Sequence, residues 1–126
     1  MQILDNGLII GNYNKETWKN VAPDVDQLEV NGKNLTLTFV RIGPKACGMY
    51  APTPFGHRHS NVEQLTIMLE GHATVIMDGK RYPVRKGSHW YAAPHIDHGL
   101  DLRESPEGVM ILQIFPAPKH PVLEKV

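Results

Sequence analysis

Apolar and polar residues alternate along most of this chain with a period of two, the spacing of half-buried strands. Over residues 34–41 the order Asn-Leu-Thr-Leu-Thr-Phe-Val-Arg puts Leu35, Leu37 and Phe39 on one face and Thr36 and Thr38 on the other. A strand over 27–30 precedes it, joined through Asn31-Gly32, a pair suited to the positive backbone angles of a tight hairpin turn. Asp78-Gly79 predicts the same kind of turn between strands at 72–77 and 80–84. More strands are expected at 64–69, 89–92 and 109–115, set apart by Gly71, Lys86-Gly87 and Ser105-Pro106-Glu107-Gly108. Residues 15–20 carry a weak helical signal. Strands this short, punctuated by 10 prolines and 11 glycines, predict an antiparallel all-β sandwich or barrel.

Bulk properties narrow what such a barrel does. A chain of 126 residues matches one domain with a single core. We read it as one domain over 1–126, with an N-terminal arm at 1–26, core motifs over about 30–116 and a tail at 117–126. Lys and Arg together number 13, as do Asp and Glu, so no net field draws nucleic acid or an anionic membrane. A small-molecule partner is expected. Cys47 is the single cysteine and forms no internal disulfide. The start Met1-Gln2-Ile3-Leu4-Asp5 lacks a cationic segment followed by an apolar run, and no window reaches the roughly twenty apolar residues of a membrane span. Cytoplasmic localisation is the expectation.

The chemistry concentrates in two stretches. His57 and His59 share parity, so in extended chain both imidazoles point to one face, close enough to share an ion. Gln64 opens the next strand, and His98 follows the proline-bounded turn Pro94-His95-Ile96-Asp97. Three imidazoles and one carbonyl oxygen leave positions open for water or substrate, as catalytic metal sites do. Thr66 and Met68 share Gln64's parity and are expected to line the same space. His72, His89, His95 and His120 are not expected to be ligands.

These stretches resemble the cupin family, whose first motif runs His-x-His, four residues, Glu or Gln, six residues, Gly; His57, His59, Gln64 and Gly71 fall at those intervals. The second motif opens on a glycine and closes on a histidine, as do Gly87 and His98. Three departures stand out: Ala51 replaces the glycine usual six residues before the first histidine, Ala93 replaces the usual first proline, and His95 stands where Gly or Asn is common. The resemblance implies a double-stranded β-helix, the jelly-roll barrel of two antiparallel sheets, and a metal held by His57, His59, Gln64 and His98. It does not choose among iron, nickel, cobalt, manganese, zinc and copper. Glu63 and Gln64 are adjacent and only one faces inward. The interval to Gly71 favours Gln64, whose neutral amide leaves the full double charge on the ion and favours Lewis-acid over redox chemistry.

Small cupins that convert unsaturated uronates carry a late strand resembling Gln113-Ile114-Phe115-Pro116-Ala117-Pro118-Lys119, but with Asp and Arg where this chain has Gln113 and Lys119. An amide is no general base and a lysine does not grip a carboxylate bidentately, so that particular activity is not carried over. Candidates for moving protons or holding an anion are Tyr91, Gln113 and Lys119. The leading expectation is an isomerase, lyase or cyclase acting on a small oxygenated or anionic metabolite. An iron-dependent dioxygenase and a non-enzymatic metabolite-binding or sensing module are the alternatives. The apolar run Gly7-Leu8-Ile9-Ile10-Gly11 is expected to pair with a neighbouring subunit in a homodimer.

Overall fold

The computed structural model describes residues 1–49, 57–59, 63–116 and 123–125, with the backbone alone for residue 49 and for 57–59 and 123–125. The elements in chain order are β1 (Gln2–Ile3), β2 (Ile9–Ile10), β3 (Lys19–Ala22), β4 (Val25–Asn31), β5 (Leu35–Ile42), α1 (Pro44–Met49), β6 (His57–His59), β7 (Gln64–Glu70), β8 (His72–Met77), β9 (Lys80–Arg85), β10 (His89–Ala92), β11 (His98–Asp101), β12 (Val109–Pro116) and β13 (Leu123–Lys125). Every strand pairing among the described residues is antiparallel. One sheet runs β10-β7-β12-β5-β4-β3, the other β13-β6-β11-β8-β9, and β1 pairs with β2 apart from both. This is the two-layer antiparallel fold that the alternation predicts.

Turn chemistry explains the hairpins. Asp78 and Gly79, at φ 50° and 78°, form the expected turn between β8 and β9, with Met77 opposite Lys80. The β4–β5 turn differs from expectation. Asn31 stays in the ladder opposite Thr36 and the Gly32 amide donates to the Leu35 carbonyl, so the turn centres on Lys33-Asn34, and neither Asn31 nor Gly32 takes a positive φ. Register set by the strands overrides the local preference of the Asn-Gly pair.

The weak helical signal at 15–20 is also overturned. Residues 13–16 form turns and Lys19–Ala22 is a strand. The helix among the described residues is α1, whose start is secured by a distant residue. Asp24, at φ 58°, accepts hydrogen bonds on Oδ2 from the amides of Lys45 (2.9 Å) and Ala46 (3.3 Å). A cap supplied from across the sheet leaves no local capping pattern to read.

Which face of β5 is buried is the most consequential difference. Thr36 and Thr38 are the buried side, whereas Leu35 is 52% exposed. Leu37 and Phe39 face outward and meet the N-terminal arm instead of the space between the sheets. Tyr13 stacks on Phe39 at 5.5 Å between centroids, Trp18 meets it edge-on at 6.3 Å, and the Arg41 guanidinium lies 4.2 Å over Trp18. The Trp18 indole donates to the Tyr13 carbonyl at 2.8 Å, so the aromatic ring finds its polar partner within the arm.

Between the sheets the core is apolar at one end. Met68, Val109 and Ile111 of the larger sheet pack with Ala73 of the smaller one, together with Leu102 and Cys47, and Val40, Trp90, Val84 and Leu100 close around them. Burial, and secondarily the nearby Asp24 carboxylate, pushes the Cys47 thiol up, so it stays a packed, uncharged group. A membrane-spanning helix is absent among the described residues. The run around β2 pairs with β1 within the chain, leaving Ile3, Leu8 and Ile10 exposed.

Gly71 joins β7 to β8 at φ 89°, and a Cβ there would lie 2.5 Å from the Gly108 carbonyl oxygen. Both the left-handed backbone and the clash oppose any side chain. Gly71→Ala is therefore expected to lose about 3 kcal/mol of stability, read from urea unfolding midpoints. A loss below about 0.5 kcal/mol would show that the β7–β8 turn does not need this backbone.

Candidate metal centre

Strand pairing shows which side chains share the space between the sheets. Val40, Met68 and Ile111 mark the inner face of the larger sheet, and alternation from them places Thr36 and Thr38, Gln64 and Thr66, and Gln113 and Phe115 on the same face. The inner face therefore changes character along its length. Apolar at one end, it carries hydroxyl and amide groups at the other: Thr36, Thr38, Gln64 and Thr66 are each no more than 5% exposed. One continuous row crosses four strands, since Glu29 pairs with Thr38, Thr38 with Gln113, and Gln113 with Thr66.

Gln64 and Glu63 separate as the ladder requires. Gln64 opens β7 opposite Ala92, and both are buried. Its amide nitrogen donates to Thr66 Oγ1 at 2.9 Å. Because nitrogen takes the threonine side, the carbonyl oxygen is turned the other way, as an oxygen ligand requires. Glu63 stands outside in the exposed class and accepts a 2.6 Å hydrogen bond from the Tyr91 hydroxyl.

His98 opens β11 on the inner face of the smaller sheet, sharing parity with Leu100 of the core. Its ring Nδ1 lies 3.0 Å from the Ile96 carbonyl oxygen. A carbonyl only accepts, so Nδ1 carries the proton and Nε2 holds the lone pair in the neutral ring. Burial pushes the imidazole pKa below the usual histidine value, against the opposing pull of the Ile96 carbonyl and Asp97. The ring is thus kept in the neutral, metal-binding form with its orientation fixed by a backbone acceptor.

The strand behind His98 is pinned on its other face. Asp101 accepts from the Arg103 backbone amide at 3.1 Å, from the Arg103 guanidinium at 3.2 and 3.3 Å, and from Arg81 at 2.5 Å. The Arg103 guanidinium first, and Arg81 after it, hold the Asp101 carboxyl well below the usual carboxylate range. Ahead of His98, His95 takes φ 65°, the left-handed backbone that a glycine or asparagine would adopt with less strain.

Among the four expected ligands, Gln64 and His98 are buried with orienting hydrogen bonds. The backbone of His57 lies directly opposite His98 across β6 and β11, while the side chains of His57 and His59 lie outside the described residues. Lys119 also lies outside them. Gln113 is half-buried in the polar row. Tyr91 is not brought to it: paired with Leu65 on the opposite face, it is 50% exposed, and its bond to Glu63 holds the phenol above its ordinary range. The odd parity of Tyr91 relative to Ala92 sends the ring outward, to the face opposite Gln64. His72, His89 and His95 are exposed. Glu29 shares this inner face through its pairing with Thr38, a placement that the half-alternating pattern of β4 does not reveal.

Comparison with known proteins follows this geometry. A family model described as a cupin domain matches residues 49–115. No curated protein matches the chain. Among solved structures, KdgF from Halomonas sp. aligns with a TM-score of 0.67 at 19% identity, over 90% of this chain and 96% of that one. A cupin sugar phosphate isomerase from Silicibacter pomeroyi gives 0.66 at 14%, over 82% and 66%. Salicylate 1,2-dioxygenase from Pseudoaminobacter salicylatoxidans gives 0.62 at 16%, over 83% and 30%. At these identities the likeness is one of fold.

The strained turn before His98 yields a direct test. His95→Gly is expected to leave stability unchanged or raise it by up to about 1 kcal/mol in thermal unfolding, because relief of the left-handed strain opposes the added backbone entropy of glycine. His95→Val, β-branched at the same φ, is expected to lose about 1–2 kcal/mol.

Proposed function

The chain belongs to the cupin family, and on that premise we propose that it is an enzyme using one divalent transition metal, held by His57, His59, Gln64 and His98, to transform a small oxygenated or anionic metabolite by isomerase, lyase or cyclase-type chemistry. The observation that carries this reading is the pairing of two buried ligand candidates with orienting hydrogen bonds. Gln64 turns its oxygen away from Thr66, and His98 is locked as the Nδ1–H tautomer by Ile96. An oriented lone pair on each of two buried side chains fits a cation.

When bound, the ion supplies Lewis acidity toward negative charge developing on a substrate oxygen. The chain's own residues supply the rest. Thr36, Thr38, Thr66 and Gln113 offer hydroxyl and amide groups to the hydroxyls and carbonyls of a substrate. Buried hydroxyls left without partners cost about 1–3 kcal/mol each, so a polar inner face favours an oxygen-rich occupant over an apolar one. Phe115, buried beside Thr36 in the same ladder, provides an apolar surface that excludes water from one side. Lys119 is our candidate for holding a substrate carboxylate. Gln64 rather than a glutamate keeps the ligand set neutral, which favours oxyanion stabilisation over a ferric state.

Metal analysis of the protein purified without added metal tests this reading. Close to one equivalent of a transition metal is expected, falling below about a tenth in His98→Ala. Chelation should lower the melting temperature by about 10 °C, the shift for a ligand near a hundred times its Kd. Thr66→Val, which frees the Gln64 amide while keeping the shape, is expected to weaken metal binding by about 10–100-fold. A wild-type protein that holds no metal and ignores chelator would sink the proposal.

The proposed setting is a cytoplasmic homodimer. Leu35, Leu65 and Tyr91 stand exposed together on the outer face of the larger sheet, an apolar surface suited to a second copy. Sedimentation at micromolar concentration should give a dimer, and Leu65→Asp should shift it to monomer.

A further inference from the structure

A second concavity lies away from the candidate metal centre. It encloses about 490 Å³ at the β8–β9 edge of the smaller sheet, and its lining includes His72, Thr74, Pro83, Arg85, Ser88 and Glu104. A cleft of that size takes a small metabolite. Five steps of about 3.4 Å along β8 separate His72 from Met77, the residue paired with His98, so the cleft opens roughly 17 Å of strand away from that ligand candidate.

Register gathers the polar groups. His72 stands directly opposite Arg85, and Thr74 opposite Pro83, on the outer face of the sheet, because the intervening pair Ala73 and Val84 belongs to the core. The turn after β9 is closed by two hydrogen bonds: the Arg85 amide donates to Ser88 Oγ at 3.0 Å, and the Ser88 amide to the Arg85 carbonyl at 2.8 Å. Having accepted one bond, the Ser88 hydroxyl keeps its own hydrogen to give. On the other side the buried Ser105 hydroxyl donates to the His72 carbonyl at 2.6 Å, which holds the segment bearing Glu104 against the start of β8.

The cations around the cleft are unevenly used. Arg81 and Arg103 converge on Asp101, and Lys86 pairs with Glu70. The Arg85 guanidinium has no hydrogen bond or ion pair among the described residues, and neither have the His72 ring and the half-buried Thr74 hydroxyl. A planar fork of five N–H donors therefore stands beside an imidazole and two hydroxyls with its hydrogen bonds unspent. Glu104 adds an acceptor to the same lining.

We propose that this cleft is a second binding site, for a small molecule with an oxyanion head, a phosphate or a carboxylate. Arg85 takes two oxygens of the head in its fork, and the Ser88 and Thr74 hydroxyls and the His72 ring donate to the remaining lone pairs. Glu104 accepts from a hydroxyl or ammonium group elsewhere on the ligand. The site is built from residues that the metal-enzyme reading does not use, and it stands or falls separately from that reading.

Titration of the nitrogen-15-labelled full chain with inorganic phosphate, and separately with acetate, tests the proposal by NMR. The backbone amide signals of residues 72–74 and 85–88 should move saturably with at least one of the two, at a Kd of about 1–10 mM, and the tighter anion names the head. Arg85→Gln, at an exposed side chain, should weaken that binding at least about tenfold with the melting temperature unchanged. Glu104→Gln, which removes a repelling charge, should tighten it about twofold. Sodium chloride at matched ionic strength should produce no saturable shift. Shifts that do not saturate, that chloride reproduces, or that are confined to the surroundings of Gln64 and His98 overturn the proposal, and so does an Arg85→Gln variant that binds as well as wild type. A chain that holds no metal leaves each of these outcomes readable.

Discussion

Strand alternation carries polar side chains into a space from which water is largely removed, and the rest of the structure answers to that constraint. Every buried hydroxyl or amide has to find a partner or lose roughly the value of a hydrogen bond to a charged or polar group. At the apolar end of the sandwich the difficulty does not arise, because Met68, Val109 and Ile111 meet Ala73 and Leu102. At the other end the groups are made useful. Thr66 spends its hydroxyl on the Gln64 amide, and Ile96 its carbonyl on the His98 ring, so that each satisfied bond also aims a lone pair. One sheet is therefore an apolar core along half its length and presents a polar inner face along the other half.

The strands that hold these groups are secured from outside the site. On the larger sheet the N-terminal arm lays Tyr13 and Trp18 against Phe39, so the outer face of β5 is packed where its inner face is polar. On the smaller sheet Arg81 and Arg103 converge on Asp101, three residues beyond His98 in β11. Because Asp101 is nearly buried while both arginines are half-exposed, removing the carboxylate would leave two solvated cations, but removing the arginines would strand a buried charge. The stability of β11 thus depends on keeping the three together. His98 is delivered by a strand fixed on one side and a strained His95 turn on the other.

Much of this was legible in the chain. The strand ladder from β7 to β10 and β12 follows from alternation and from turn residues whose preference is local, such as Asp78-Gly79. The separation of Gln64 from Glu63 follows from parity alone, which puts the first inside and the second outside. What escaped reading depends on contacts distant in sequence. The helix α1 starts on a cap from Asp24, some twenty residues earlier. Which face of β5 is buried cannot be read from its own pattern, because Leu35, Leu37 and Phe39 look like a core face, yet the arm covers Leu37 and Phe39 and Leu35 stays exposed. β11 reads His-Gly-Leu-Asp, too short for a period, and its pairings with β8 and β6 identify it. For Tyr91 the strand was evident, but its side of the strand follows only from the register that puts Ala92 opposite Gln64.

The side chain at residue 64 also bears on the charge of the inner face. A glutamate there would bring a negative charge into the buried end of the sandwich, whereas the Gln64 amide, held by Thr66 with its oxygen turned away, adds a dipole and no charge. The adjacent carboxylate, Glu63, is carried to the other face by the same ladder, where it accepts from Tyr91. One register therefore fixes both outcomes: the parity that turns the amide inward turns the acid outward, and a slip of one residue in β7 would exchange a neutral oxygen donor for an anionic one.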